Sequence, residues 1–272
     1  PTRRSNTPIL LTVGVLLPAC FVASLIAGSV HIPIGEIFTI LSGGESSKSA
    51  WDQIILTLRL PRAITATLTG AALAMSGLQM QTLFRNPLAG PFVLGISSGA
   101  SLGVALIVLA AGAGASTLVA GLDTFGNFSL AAAASIGAGT VLGLVLSVSR
   151  RVENNMTLLI LGLMFGYVSG AMVSVLVYFS ASNAIQAYLI WTFGSFAGVT
   201  WSQLTVFAPL AILGLAIGGL STKALNALLL GETYAASLGL TVSRARFWIL
   251  SSASLLAGVT TAFCGPIAFL GI

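Results

Sequence analysis

The chain has 272 residues, of which 56% are hydrophobic and only 6% charged, with a mean hydropathy of +1.04. Soluble domains carry about 25% charged residues. So few charges cannot solvate a surface, which excludes a water-soluble globular protein and predicts an all-α polytopic membrane protein. The net charge of +5, spread thinly over short loops, is what orients a membrane protein and implies no nucleic-acid partner.

A bilayer core takes roughly 20 apolar residues per helix. After Arg3 and Arg4 the first such run covers 8–30; it is too long for a signal peptide and lacks a small-residue cleavage site, so it reads as a retained anchor. A polar stretch, 31–53, carries His31, Glu36, Glu45, Lys48 and Asp52. Spans follow at 63–83 and 92–110, then a glycine-rich loop with Asp123 and Asn127, then a span at 128–148. Beyond Arg150, Arg151, Glu153, Asn154 and Asn155 comes a span at 157–179. The semi-polar stretch 180–203 holds Trp191 and Trp201, residues suited to a lipid–water boundary. Spans at 204–220 and 247–263 flank the segment 221–246, and 265–272 begins another apolar element. That makes about seven crossings plus a partial one. The runs are continuous, not alternating over about ten residues as in a membrane β-barrel. The chain starts without Met and stops inside an apolar run, and reads as part of a longer protein.

Charge predicts the orientation. With the N-terminus inside, Arg3, Arg4, Arg85, Arg150, Arg151, Lys223, Arg244 and Arg246 lie on the inner side and Lys48, Arg59 and Arg62 on the outer. The bias supports a cytoplasmic N-terminus. Small residues predict close helix packing: Gly70, Ala74 and Gly77 in the second span, and Gly95, Gly99 and Gly103 at four-residue spacing in the third. A faint echo links "GPFVLGI" at 90–96 to "GPIAFLGI" at 265–272. Repeated helical halves are common in transporters, so the echo predicts a further copy of the second to fifth spans beyond the chain's end.

The stretch "FRNPLAGPFVLGISSGASLG" (84–103) concentrates helix breakers between apolar runs. Pro87 and Pro91 remove backbone donors and disfavour helix just before them. The plain reading is a turn between helices. The sharper reading is an element at the mouth of a translocation path, closed by Asn86 and Leu88 and lined by Ser97, Ser98 and Ser101. "GISSG" (95–99) matches the serine-hydrolase elbow. A serine nucleophile needs a base, however, and the single histidine, His31, falls at the opposite end of the first span. No enzyme is predicted.

Cys20 and Cys264 sit far apart in apolar runs and read as small buried residues. One histidine excludes a His/Cys metal cluster, and neither lysine follows a glycine as a phosphate loop requires. The chain itself is therefore expected to hold no metal, cofactor or nucleotide. No Asp, Glu, Lys, Arg or His falls inside the second to seventh spans, where an ion-coupled carrier usually keeps one, so the energy source is expected outside the chain. "LLLGETYAASLGL" (228–240) reads as one or two short helices: an ordinary amphipathic loop, or a docking surface for a motor. Arg59 and Arg62 in "LRLPR" are either snorkelling side chains or a cationic pair facing an acidic partner.

Taken together, "LRLPR", "GAALAMSGLQMQTLFRNPLAGPFVLGISSGASLG", "WTFGSFAG" and "GETYAASLG" resemble the FecCD-type permease subunit of ABC importers for iron–siderophores, haem and cobalamin. The resemblance covers nearly the whole chain. It implies a single permease domain over 1–272, about ten spans in the full protein and a coupling segment at 221–246. It also implies a second permease subunit, two cytoplasmic ATPase subunits that bind ATP and Mg, and an external substrate-binding protein, all at a bacterial inner membrane. On this resemblance Arg59 and Arg62 receive the binding protein, and Asn86, Pro87, Leu88, Asn155 and Met156 form cytoplasmic gates. Gly231, Glu232, Ala235, Ser237, Leu238 and Gly239 contact the ATPase. Transport would proceed by alternating access, with a siderophore the first expectation among chelates. The rival reading is an ion-coupled carrier or channel without an ATPase.

Overall fold

The computed structural model describes residues 7–109, 124–149, 151–152, 155–267 and 270–271, and among these the secondary structure is helical, with no strand. Two compact units divide the chain, Pro1–Thr67 and Leu68–Ile272.

In the first unit the anchor helix α1 (Thr7–Ile26) is followed by α2 (Ile34–Leu41) and α3 (Ser49–Gln53). A π-helical turn (Ile54–Arg59) then leads into α4 (Leu60–Phe84), whose later turns belong to the second unit. Ile37 and Ile40, three apart and so on one helix face, pack with Leu25, Ile32, Ile55 and Ala63 into a small core. The polar stretch before α3 is tied down by Glu36, whose carboxylate accepts from the Ser47 hydroxyl and from the Ser47 amide at 3.1 Å. Those two bonds, the hydroxyl's first, hold the Glu36 carboxyl below its ordinary pKa.

The second unit contains a 3-10 turn (Pro91–Leu94), α5 (Ile96–Val108), α6 (Thr124–Ser149), α7 (Asn155–Tyr178), α8 (Ser182–Thr192), α9 (Trp201–Leu220), α10 (Thr222–Leu229), α11 (Glu232–Ser237) and α12 (Val242–Cys264). A reciprocal capping box fixes the start of α9: the Gln203 amide donates to Thr200 Oγ1, and the Thr200 amide to Gln203 Oε1. Helix α12 is the most buried of the long apolar helices and packs mainly on α6 and α9. A polar thread crosses this core. Gln79 Nε2 of α4 donates to Ser252 Oγ of α12 at 3.0 Å, Ser252 Oγ donates to the Gly214 carbonyl of α9 at 2.8 Å, and Ser76 Oγ donates to the Ala253 carbonyl at 2.9 Å. Small hydroxyl residues at such contacts let helices approach and satisfy one another in an apolar medium.

Five described helices are long and apolar enough to cross a membrane, within α1, α6, α7, α9 and α12. The other two expected spans differ from that pattern for physical reasons. Helix α4 is long enough at 25 residues, but it carries buried Thr69, Ser76, Gln79 and Thr82, so its polar face is turned to protein. Helix α5 has 13 residues, about 20 Å at 1.5 Å per residue, because the first turn of the expected span, Pro91–Leu94, folds as a 3-10 element. The expected loop residue Asn127 lies on α6, while Arg3, Arg4, Asp123, Arg150, Glu153 and Asn154 lie outside the described residues.

The four-residue glycine pattern of α5 does what close packing predicts. A methyl on Gly99 would lie 2.7 Å from the Gly137 carbonyl, and one on Gly103 would strike the Ala133 carbonyl, both on α6. The echo between 90–96 and 265–272 has a conformational counterpart. Gly95 and Gly271 occupy matching positions and both are left-handed, with φ of +73° and +96°. The initial glycines differ, however: Gly265 has φ +75° and Gly90 −95°.

Candidate functional site

Helix α4 ends in a Schellman turn: the Asn86 amide donates to the Gln81 carbonyl at 3.1 Å and the Arg85 amide to that of Thr82 at 3.4 Å. The motif needs a left-handed residue, and here that residue is Arg85, at φ +48°. A non-glycine residue there costs about 1–2 kcal/mol. The Arg85 side chain offsets it by donating to the Leu228 carbonyl at 3.2 Å, at the C-terminal end of α10, where a cation is favoured. Beyond Arg85 the chain makes an Asx turn, with the Leu88 amide donating to Asn86 Oδ1 at 2.9 Å. Gln81 Nε2 also donates to the Pro87 carbonyl at 3.1 Å. Asn86, Pro87 and Leu88 are all exposed, Leu88 by 75%.

The segment expected to couple to a motor folds as two short helices, α10 and α11. Gly231 separates them at φ +122°, and a side chain there would meet Arg85 Nη2 at 3.3 Å. Gly239, at φ +84°, closes α11, with the Leu240 amide donating to the Ala235 carbonyl at 3.1 Å. Ala235 is fully buried beneath, whereas Leu229, Leu230, Tyr234 and Leu238 stand exposed, with Ser237 and Gly239 also on the surface.

Arg246, in the second turn of α12, joins these parts. Its Nη2 is 3.1 Å from Glu232 Oε1, and its Nη1 donates to the Val152 carbonyl at 3.0 Å, in the connection between α6 and α7. The Arg246 side chain is 7% exposed and that of Glu232 38%. A cavity of about 810 Å³ opens where the segments meet, lined among others by Arg85, Met156, Gly231, Glu232, Tyr234 and Ser237. The end of α4, the start of α7 and the paired short helices are therefore one place in the fold.

Other expected site residues go elsewhere. Ser97 Oγ lies 3.1 Å from Thr261 Oγ1 of α12, Ser98 lies beside Gly166 of α7, and Ser101 is hydrogen-bonded to Tyr188 of α8. Within this chain the three serines join α5 to three neighbours, and each stays partly exposed. Arg59 was expected to face outward. Instead it is 9% exposed and its guanidinium donates to the carbonyls of Leu25, Ile26 and Val30 at 2.6, 3.0 and 2.5 Å. It closes the end of α1, and of the pair only Arg62 is exposed. Asn155 is the first residue of α7, and Met156 beside it is exposed. Sequence reasoning treated Arg85 and Arg246 as loop charges only; their signal was their rarity beside apolar runs in a chain with 11 basic residues.

Apolar helices of membrane length, packed through small residues around a buried polar thread, define a multi-pass helical membrane protein. The chain matches the FecCD transport family over residues 16–272, and it belongs to that family. It is 33% identical over 267 residues to an uncharacterized ABC transporter permease protein, YvrB, of Bacillus subtilis, covering 94% of this chain and 72% of that one. It is 38% identical over 267 residues to the vitamin B12 import system permease protein BtuC of Serratia proteamaculans (97% and 72% covered). The BtuC of Shigella boydii is 33% identical over 270 residues (99% and 77% covered). Among solved structures, an ABC transporter described as of the metal-chelate type, in an inward-facing conformation, superposes with a TM-score of 0.81 at 27% identity. That match covers 97% of this chain and 78% of the solved one.

Proposed function

We propose that this chain is the membrane-spanning subunit of an ATP-driven importer that moves a metal chelate across the bacterial cytoplasmic membrane. It would act as one permease domain whose segment 221–246 couples to the motor. A second permease subunit completes the path, two cytoplasmic ATPase subunits hold ATP and Mg, and an external binding protein delivers the ligand. The N-terminus lies inside. The carrying observation is the crevice in which Arg85, Met156 and Glu232 meet: a surface offered to a motor adjoins both segments expected to gate the path. Exposed Leu229, Leu230, Tyr234 and Leu238 supply an apolar docking face. On the other side Arg62 offers its charge to an acidic partner, a role that Arg59, bonded to carbonyls, no longer needs to share. Docking that favours one arrangement of α11 over another would shift the gate between inward- and outward-open populations.

The names of the relatives put cobalamin ahead of siderophores as the first ligand to test. The measurement is co-purification followed by transport in vesicles, with cyanocobalamin and a ferric siderophore as probes. An associated ATPase and uptake that stops without ATP are expected. Uphill uptake by the permease alone, driven by a proton or sodium gradient, would instead establish an ion-coupled carrier.

A further inference from the structure

Glu232 and Arg246 form an ion pair between α11 and α12, with Arg246 Nη2 3.1 Å from Glu232 Oε1. Stability alone does not account for it. A buried ion pair often stabilises less than apolar residues of the same volume, and a cation near a helix N-terminus opposes the helix dipole. What the guanidinium does provide is geometry. It is a planar fork whose two terminal nitrogens are bound in fixed directions, here to a side chain of α11 and to the backbone of the α6–α7 connection. A displacement of α11 that keeps both bonds must carry the Val152 carbonyl with it. Lining the same crevice, Arg85 links the Asn86–Leu88 turn to the end of α10.

We propose that Arg246 is a positioning residue that yokes α11 to the α6–α7 connection, so that motion imposed on the short helices reaches the start of α7. Arg85 forms the second limb, toward the Asn86 turn. The inference rests on the coupling role given above to 221–246, and it names the side chain that transmits. Tight transmission requires two simultaneous bonds. Lysine, a point charge with a single nitrogen, keeps the charge but spans the two acceptors poorly, and methionine keeps only the volume.

The test uses the full-length permease with its co-purified ATPase, in phosphatidylethanolamine–phosphatidylglycerol vesicles. Nitroxide labels are placed through Arg151→Cys and Ser237→Cys after Cys20→Ser and Cys264→Ser. With labelled permease diluted into an excess of unlabelled permease, so that each complex carries one labelled copy, a single narrow separation is expected in the parent, unchanged when Mg-ATP and vanadate are added. In Arg246→Met the distribution broadens, and in the unlabelled variant ATP consumed per transported cyanocobalamin or ferric siderophore rises roughly tenfold over the unlabelled parent, the size of a typical coupling. Arg246→Lys falls between, and keeps the measurement informative if the methionine variant does not fold. A narrow distribution with parental coupling in both variants overturns the yoke. Absence of any ATPase in the parent overturns the importer reading instead; label separation in the nucleotide-free permease still decides whether Arg246 holds the two segments together.

Discussion

Arg59 is where a charged residue's type and its surroundings point in different directions. In a chain this poor in charge, an arginine two residues before a proline and three before a second arginine invites an outward-facing role. The π-helical turn ending at Arg59 instead aims the guanidinium at three carbonyls left open at and beyond the end of α1. Hydrogen bonds to a charged group are worth about 1.5–3 kcal/mol each, and orphaned buried carbonyls add a penalty. Arg59→Ala should therefore destabilise the protein by on the order of 3 kcal/mol, read as a lowered thermal midpoint in detergent micelles. Arg62→Ala, at an exposed position, should stay within about 0.5 kcal/mol. Equal effects of the two would remove the helix-closing role.

At the scale of elements, the contact between α5 and α6 is set by absent side chains. Gly99 and Gly103 lie against backbone of α6, whereas Gly139, also on α6, has nothing within 4 Å of where a side chain would begin. Gly103→Leu should force the helices apart at a cost of about 1–3 kcal/mol, seen as earlier aggregation on heating in size-exclusion chromatography. Gly139→Leu should behave like the parent. The comparison separates packing from helix propensity, since leucine improves intrinsic propensity at both positions. The contact pattern was legible in the four-residue spacing. The shortness of α5 was not, because Pro91 permits either a first helical turn or a 3-10 turn, and the packing of Val93 and Leu94 against Gly162 selects the latter.

For the whole molecule, the orientation that the charge distribution predicts can be measured. With other cysteines replaced, Arg62→Cys should react with a membrane-impermeant maleimide in intact spheroplasts, and Ser237→Cys only after permeabilisation. Reaction of both from one side would reverse or break the proposed topology, and with it the assignment of the crevice to a cytoplasmic partner.

The class of protein was legible in composition alone, because lipid solvates apolar side chains and every backbone group must then be satisfied within helices. The resemblance on residues 59–103 and 231–239 was legible because rare residues (Pro, Gly, Arg, Asn) in an apolar chain carry most of its information. What only the tertiary structure decided is which of those residues meet. Arg85, Met156 and Glu232 are separated by tens of residues yet border one crevice, and Arg246 reaches both Glu232 and Val152. The three serines of α5 share one short segment but turn to three different helices. Helical periodicity states the direction of a side chain about its own axis. Which neighbour it finds there depends on how the other helices pack, and that is settled by contacts between residues far apart in the chain.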